Sequence, residues 1–159
     1  MTARRVLLLL VVVLLGLAGC GTQGLVLEQP TQLQQLRPAE FSSTAVPTRI
    51  SWTGDALHAG ERYFVIIDQL PMPPGSTIRS MTDDVCRNTP GCPDPTYLAQ
   101  HQMYTTRGRT VKVESLPLGG PFPVKDLAGL HAATIVIVDR AGRRVGEEFW
   151  STSFYAPTS

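Results

Sequence analysis

The sequence is poor in several residue types on which common functions depend. It contains three histidines and three cysteines in 159 residues. His58, His101 and His131 lie far apart, whereas a zinc site needs about four ligands at short, paired spacings. The charges nearly balance, at 14 basic and 13 acidic residues, and nucleic-acid binding normally requires a basic face. We therefore expect no metal or other cofactor and no nucleic-acid partner.

Recognisable catalytic motifs are also lacking. The chain has no Gly-x-Ser-x-Gly elbow and no glycine-rich phosphate loop ahead of a helix. Glu147 and Glu148 are adjacent on a predicted strand, so their side chains would point to opposite faces and could not act as a carboxylate pair. The sequence predicts a protein that is not an enzyme.

The chain has one long apolar run, Val6–Ala18, and this run is short for a membrane span. As a helix it would measure about 20 Å, against about 30 Å for the hydrocarbon core of a bilayer. Arg4 and Arg5 precede the run, and Ala18 and Gly19 supply small residues at its end. These features predict a cleaved signal peptide, residues 1–19, rather than a transmembrane helix.

A cysteine follows the small residues directly. Leu17-Ala18-Gly19-Cys20 resembles the lipobox of bacterial lipoproteins, in which the cysteine is acylated and becomes the new N-terminus. The resemblance implies that Cys20 carries a lipid and that the membrane is a partner through this anchor. It places the protein on the extracytoplasmic face of the cell membrane or outer membrane. Two acyl chains are sufficient for stable anchoring. An ordinary secreted protein is the alternative.

The other two cysteines, Cys86 and Cys92, stand in the segment "CRNTPGC". They form an even pair in a compartment that permits disulfides. Asn88, Pro90 and Gly91 favour a turn that brings the two cysteines within bonding distance. A redox motif would have two intervening residues rather than five. We predict a structural disulfide between Cys86 and Cys92.

Acidic residues flank this pair without the ligand spacing of a calcium loop. Asp83, Asp84 and Asp94 are therefore interpreted as solvated loop residues. Upstream, residues 20–45 are rich in Gln, Thr and Pro and show no strong periodicity. We interpret residues 20–45 as a lipid-anchored tether and residues 46–159 as one folded domain.

The folded part begins with a pattern typical of β-strands. Residues 46–53 alternate apolar and polar side chains, and Pro47 favours a position at a sheet edge because proline cannot donate to a ladder. The continuous apolar runs Tyr63–Ile67 and Thr134–Val138 predict strands that are covered on both faces. No segment shows a long apolar stripe with the helical period.

Three further strands complete the pattern, and the first is assigned to the second half of "TYLAQHQMYTTR", residues 96–107. Val111 and Val113 alternate with polar neighbours, which predicts a strand with one buried face. The segment Phe149–Tyr155 is predicted to return beside the second buried run after the turn "DRAGRR", in which Gly142 adopts positive φ. On this last strand, Trp150 and Phe154 share a face that either fills the core or forms a recognition surface.

These elements predict a mainly β protein, a sandwich of six or seven strands. The order is similar to that of fibronectin type III and immunoglobulin-like domains, with "ISW", "YFVIID", "VKVESLP" and a final pair "TIVIVDRAG" and "FWSTSFY". The predicted core comprises one face of the last strand together with Trp52, Phe64, Ile66, Val111, Val113, Ile135 and Ile137.

Two functions fit such a protein. The first is a non-catalytic binding or accessory module that docks an unknown protein or glycan through its loops. The second is a carrier of a small hydrophobic ligand, which would need a cavity inside the sandwich. The dense bulky residues of the two buried runs favour a filled core, so the sequence favours the binding module.

Overall fold

The structure is a computed structural model that describes residues 32–117 and 129–156. The signal peptide and Cys20 lie outside the described residues. In chain order the elements are β1 (Leu33–Arg37), β2 (Ser42–Ser43), β3 (Thr48–Gly54), β4 (Arg62–Ile67), a 3₁₀ helix (Ile78–Met81), α1 (Asp84–Asn88), α2 (Pro95–Gln100), β5 (Met103–Thr106), β6 (Thr110–Val113), β7 (Leu130–Val138) and β8 (Trp150–Tyr155).

The strands form two sheets. One has three strands in the order β1-β3-β6, and the other has five in the order β2-β8-β7-β4-β5. All neighbours pair antiparallel except β2 and β8, which are parallel. The prediction of a mainly β protein with two sheets is confirmed. The described residues hold eight strands rather than six or seven, because β1 and β2 precede the predicted ones.

The first core lies between the two sheets. Side chains of β3 and β6, such as Ile50 and Val113, pack in one cluster with Val65 of β4 and Ile135 of β7. The ladder places Val65 directly opposite Ile135, so both point to the same face. All four residues are fully buried. The alternation predicted for β3 and β6 is confirmed by this packing.

A second core covers the other face of the five-stranded sheet. Phe64 and Ile66 of β4 pack there with Val136 of β7 and with Ile78 and Leu98 from the connection between β4 and β5. The continuous apolar runs of β4 and β7 therefore have a physical reason, since each strand is buried on both faces. Phe64 and Ile66 were predicted in the core and are buried, but under the helices rather than between the sheets.

The helices of this covering layer are short and capped by aspartates. The Asp83 carboxylate accepts a hydrogen bond from Cys86 N at 2.8 Å and begins α1, and Asp94 accepts from Tyr97 N at 2.7 Å and begins α2. Pro95 occupies the first turn of α2, where its missing N–H costs nothing. Asp83 and Asp94 are exposed, as predicted for solvated acids, but both also cap helix N-termini, a role that the sequence analysis did not assign to them.

The predicted boundary between tether and domain is also wrong. Leu33 is only 6% exposed and packs in the core between the sheets, and β1 pairs with β3. Ser42–Ser43 adds a short strand beside β8. The domain therefore includes residues from Leu33 onward, rather than beginning at residue 46. One buried side chain in a polar strand gave too weak an alternation to be recognised.

The strands define two ends of the sandwich. At one end, which we call the entry end, the chain enters β1 from Gln32. The connections formed by residues 55–61, 107–109 and 139–142 lie at the same end. At the opposite end, which we call the far end, β4 finishes and β7 begins. The long connection from β4 to β5 runs over the outer face of the five-stranded sheet.

Candidate functional site

A groove lined by arginines opens at the entry end. Its largest cavity has a volume of about 720 Å³ and is lined by Gly60, Glu61, Arg62, Thr105, Thr106, Arg107 and Arg140. A second cavity of about 410 Å³ shares Arg62 and Thr105, and a third of about 370 Å³ shares Arg107. Because they share lining residues, we treat the three cavities as one surface, the arginine groove.

Strand register brings the arginines of the groove together. Arg62 begins β4 opposite Val138, which ends β7, so Arg62 lies beside the turn that carries Arg140. Its Nη2 donates to the carbonyl of Arg140 at 2.9 Å. Thr106, the last residue of β5, lies opposite Tyr63 and places Arg107 next to the same strand. Residues 78 positions apart in sequence thus share one cavity.

The turn of the final pair of strands shapes this side of the groove. Gly142 has a φ of 77° as predicted, and its N–H donates to Asp139 O at 3.0 Å. The Asp139 carboxylate accepts from Arg143 N at 2.8 Å and closes the turn. β5 is the edge strand of the five-stranded sheet, which leaves the groove open on that side.

Positive charge dominates the groove. Its lining includes five arginines and two carboxylates, namely Arg62, Arg79, Arg107, Arg109, Arg140, Glu61 and Asp55. The two acids already accept backbone hydrogen bonds, Glu61 from His58 N at 2.9 Å and Asp55 from Gln32 N at 3.0 Å. Within residues 32–117 and 129–156, none of the five arginines forms an ion pair with a carboxylate. The groove therefore carries uncompensated guanidinium groups.

Arg62 and Arg107 differ in the state of their donors. The Nε atom of Arg62 is inaccessible to solvent and makes no hydrogen bond, although its Nη2 is bonded. Arg107 makes no side-chain hydrogen bond within the part of the chain that the structure describes. Guanidinium groups with free donors bind phosphate, sulfate or carboxylate oxygens in bidentate fashion. The chemistry of the groove thus suits an anionic ligand.

The second cavity combines this charge with an apolar floor. Ile78 of the 3₁₀ helix and Leu98 of α2 line it together with Arg79, whose Nε donates to Arg87 O at 3.1 Å. Cys92 and Pro93 form part of its wall. The loop closed by the disulfide therefore borders the groove.

The structure bonds the two cysteines that the sequence paired. Cys86, buried on α1, forms a disulfide with Cys92, and their Cα atoms are 5.3 Å apart. Thr89 N donates to Cys86 O, and Cys92 N donates to Thr89 O, so the loop turns back on itself. The bond fixes the end of α1 against the wall of the second cavity.

A buried acid–imidazole pair lies at the far end, and the sequence analysis missed it. His131 Nδ1 and Asp68 Oδ2 are 2.6 Å apart, and their side chains are only 2% and 7% exposed. Asp68 also accepts from Ala132 N at 2.9 Å and donates its own N–H to Ala132 O at 2.8 Å. Asp68 has a φ of 58°, which directs the chain out of β4. The pair ties the end of β4 to the start of β7.

Arg144 is a second buried charge outside the groove. Its guanidinium donates to the carbonyls of Met72, Glu147 and Glu148, the last at 3.1 Å, and lies 6.0 Å from the ring centre of Phe149. Burial lowers its pKa, partly opposed by Glu147. Arg144 therefore fastens the connection before β8 to the covering layer. Glu147 and Glu148 lie in this connection and not on the strand where they were predicted.

The aromatic residues of the last strand divide between core and surface. Phe154 is fully buried between the sheets, and Trp150 packs against the same core while half-buried. Phe149, just before β8, is 50% exposed. The shared face of Trp150 and Phe154 thus fills the core, and it does not form a recognition surface.

The described residues contain no helix with the length and apolar character to span a bilayer. In residues 32–117 and 129–156, no group of three or more His, Cys, Asp or Glu side chains could hold a metal ion. Comparison of the chain with models of protein families, with curated proteins and with solved structures finds no match.

Proposed function

We propose that this protein is a lipid-anchored, non-catalytic binding module on the extracytoplasmic face of a bacterial membrane. Its attachment is through Cys20, and its ligand-contacting surface is the arginine groove. The observation that carries the binding role is the concentration of five arginines at one end of the sandwich, none of them paired with a carboxylate of the described residues. Such a surface selects partners that carry phosphate, sulfate or carboxylate groups.

The packing between the sheets supports this role over that of a hydrophobic carrier. A carrier needs an apolar space inside the sandwich large enough for its ligand. Ile50, Val65 and Ile135 meet in the centre, and each is fully buried in a single apolar cluster. The groove, by contrast, is an open surface feature of ligand size.

We also infer that the sandwich has the immunoglobulin-like topology of fibronectin type III domains. The strand orders support this: β1, β3 and β6 form one sheet, and β5, β4, β7 and β8 follow one another in the other. Domains of this type pack two antiparallel sheets around one core, with connections that cross between the sheets. An experimental structure with a different strand order would contradict this assignment.

Anchoring is tested by Cys20→Ser in the full chain, expressed in a bacterium that processes lipoproteins. The unsubstituted protein is expected in the membrane fraction, with an intact mass that includes the acyl chains. Cys20→Ser should lose that mass and accumulate in unprocessed or soluble form. Unchanged fractionation of Cys20→Ser together with normal signal cleavage would show that Cys20 is not the anchor.

The binding role is tested with inorganic polyphosphate as the probe and the full lipidated protein in neutral detergent micelles. Arg107→Gln combined with Arg140→Gln should weaken binding by about tenfold or more, because two charge-assisted contacts are removed. Arg37→Gln combined with Arg49→Gln is the matched control, since both residues are exposed on the three-stranded sheet. Equal losses in both double variants, or no binding by the unsubstituted protein, would contradict a specific groove.

A further inference from the structure

The path of the chain places the arginine groove beside the point where the domain is attached. Gln32 and Asp55 bond reciprocally: Gln32 N donates to the Asp55 carboxylate at 3.0 Å, and Asp55 N donates to Gln32 O at 3.2 Å. Asp55 lines the third cavity of the groove together with Arg107 and Arg109. The first described residue is therefore fixed to the wall of the groove.

The length of chain before this point limits how far the groove can lie from the anchor. Twelve peptide units separate Cys20 from Gln32, and a fully extended chain advances at most about 3.6 Å per residue. The Cα atom of Gln32 therefore lies within about 43 Å of the Cα atom of Cys20, whatever path the chain takes. The far end lies about 30 Å from the entry end along the nine-residue strand β7, so the chain from Cys20 joins the domain at the end that carries the groove.

We infer that the arginine groove docks on anionic lipid headgroups of the membrane that holds Cys20. This inference rests on the proposed lipid anchor and names the acidic partner of the groove. Headgroup phosphates offer the bidentate oxygens that guanidinium groups bind. The anchor keeps these phosphates permanently within reach of the entry end, so that docking is an intramolecular step with a high effective concentration.

The charge of the entry end suits such a surface. Among the residues that line the groove, five arginines outweigh Asp55 and Glu61, which leaves a charge of about +3 on the groove. Attraction to an anionic leaflet falls off within a Debye length of about 8 Å at physiological salt. On this inference the attraction acts at the entry end, where the groove lies, and it would orient the strands away from the bilayer.

Hydrogen exchange on the full lipidated protein in vesicles tests this orientation. The vesicles contain either zwitterionic lipid alone or the same lipid with about one third anionic phospholipid. In anionic vesicles, exchange should slow by about threefold or more in peptides covering residues 55–62 and 105–110, because docking protects their amides. Peptides covering residues 37–49 should exchange equally in both vesicles. Raising the salt to about 500 mM should abolish the protection.

The arginine variants separate a specific face from general attraction. Arg107→Gln combined with Arg140→Gln should lower the docking equilibrium constant by about 25-fold, given the usual gain for each basic residue near an anionic surface. Protection should then disappear. The control pair, Arg37→Gln with Arg49→Gln, removes the same charge from the three-stranded sheet and should retain protection at residues 55–62 and 105–110.

Four results would overturn the inference. Equal exchange in the two kinds of vesicle, with acylation of Cys20 verified by intact mass, would refute docking while leaving the anchor in place. Protection confined to residues 37–49 would show that another face meets the membrane. Protection by soluble polyphosphate, with none from anionic vesicles, would identify the groove as a site for a soluble polyanion. A mass without acyl chains would overturn both the anchor and the inference.

Discussion

Removing the Asp68 carboxylate tests whether the buried pair of Asp68 and His131 stabilises the connection between β4 and β7. In Asp68→Ala, His131 loses the acceptor 2.6 Å from its Nδ1, and Ala132 N loses the acceptor at 2.9 Å. Both partners sit on β7, and His131 is only 2% exposed, so water cannot fully replace the lost contacts. Asp68→Asn is the matched variant, because it keeps an acceptor for Ala132 N and tolerates the left-handed backbone at this position.

The magnitude follows from these contacts. An unsatisfied buried donor costs about 1–3 kcal/mol, and a hydrogen bond to a charged group contributes about 1.5–3 kcal/mol. Alanine at a φ of 58° adds a penalty of about 1 kcal/mol. Asp68→Ala should therefore lower the free energy of unfolding by about 3–5 kcal/mol, as expected for breaking a buried pair. Asp68→Asn should lower it by about 1–2 kcal/mol.

Urea unfolding followed by tryptophan fluorescence measures both variants. Trp52 is 3% exposed and packs edge-on against Tyr63 with ring centres 4.9 Å apart, so its emission reports the loss of the core. A double-mutant cycle with His131→Ala should give a coupling energy of about 1–3 kcal/mol. If Asp68→Ala lowers the free energy of unfolding by less than about 1 kcal/mol, or shows no coupling to His131, the pair does not stabilise the fold.

Ile137→Ala should lower the free energy of unfolding by about 2–5 kcal/mol, because it removes buried apolar surface and leaves a cavity. Lys112 is exposed, so Lys112→Ala should change the free energy of unfolding by only a few tenths of a kcal/mol. Similar losses in both variants would contradict the assigned core. Cys86 and Cys92 should resist alkylation in the native exported protein until reductant is added, as read by intact mass, and two thiols alkylated without reductant would argue against the disulfide. The hydrogen bond from Cys86 N lowers the pKa of Asp83 below its ordinary value of 3.8. The stabilisation by this N-cap should therefore be complete at pH values above 3.8 and should be lost as the pH falls through the lowered pKa. An NMR titration midpoint of Asp83 at or above 3.8 would count against the cap.

The strands with strong alternation or continuous apolar runs were predictable, and the covering layer was not. Residues 78–100 bury few side chains, chiefly Ile78, Cys86 and Leu98, and their helices span one or two turns. Such helices are too short to show a period of 3.6. Their signals were local: an aspartate at each N-cap, and for the second helix Asp94 followed by Pro95.

The sequence placed the strand that follows Pro47 at the edge of a sheet, and this prediction is wrong. Proline cannot donate within a ladder, and the sequence therefore favoured an edge strand. In the structure the strand starts at Thr48, one residue later, and β3 is the central strand of its sheet, between β1 and β6. The missing partner was β1, whose polar sequence had been assigned to the tether.

The arginine groove could not be predicted from the sequence because its residues come from separate connections. Arg62, Arg107 and Arg140 lie in three segments that are far apart in the sequence, and the total charge of +1 gives no sign that they cluster in the fold. Only the pairing of β4 with both β5 and β7 brings them into one cavity. The absence of a basic run along the chain thus does not exclude a basic surface on the fold.

The first and last described residues of the domain lie at opposite ends of the sandwich. Gln32 lies at the entry end, and Ala156, the last described residue, lies at the far end, where its N–H donates to Gly129 O at 2.9 Å. In many domains the N- and C-termini lie close together, which allows such a domain to be inserted into a loop of another protein. Here a reporter or second module fused after Ala156 would stand about 30 Å from the attachment side. Such a fusion site leaves the groove uncovered, so a fluorescent label there can follow the protein without blocking its ligand.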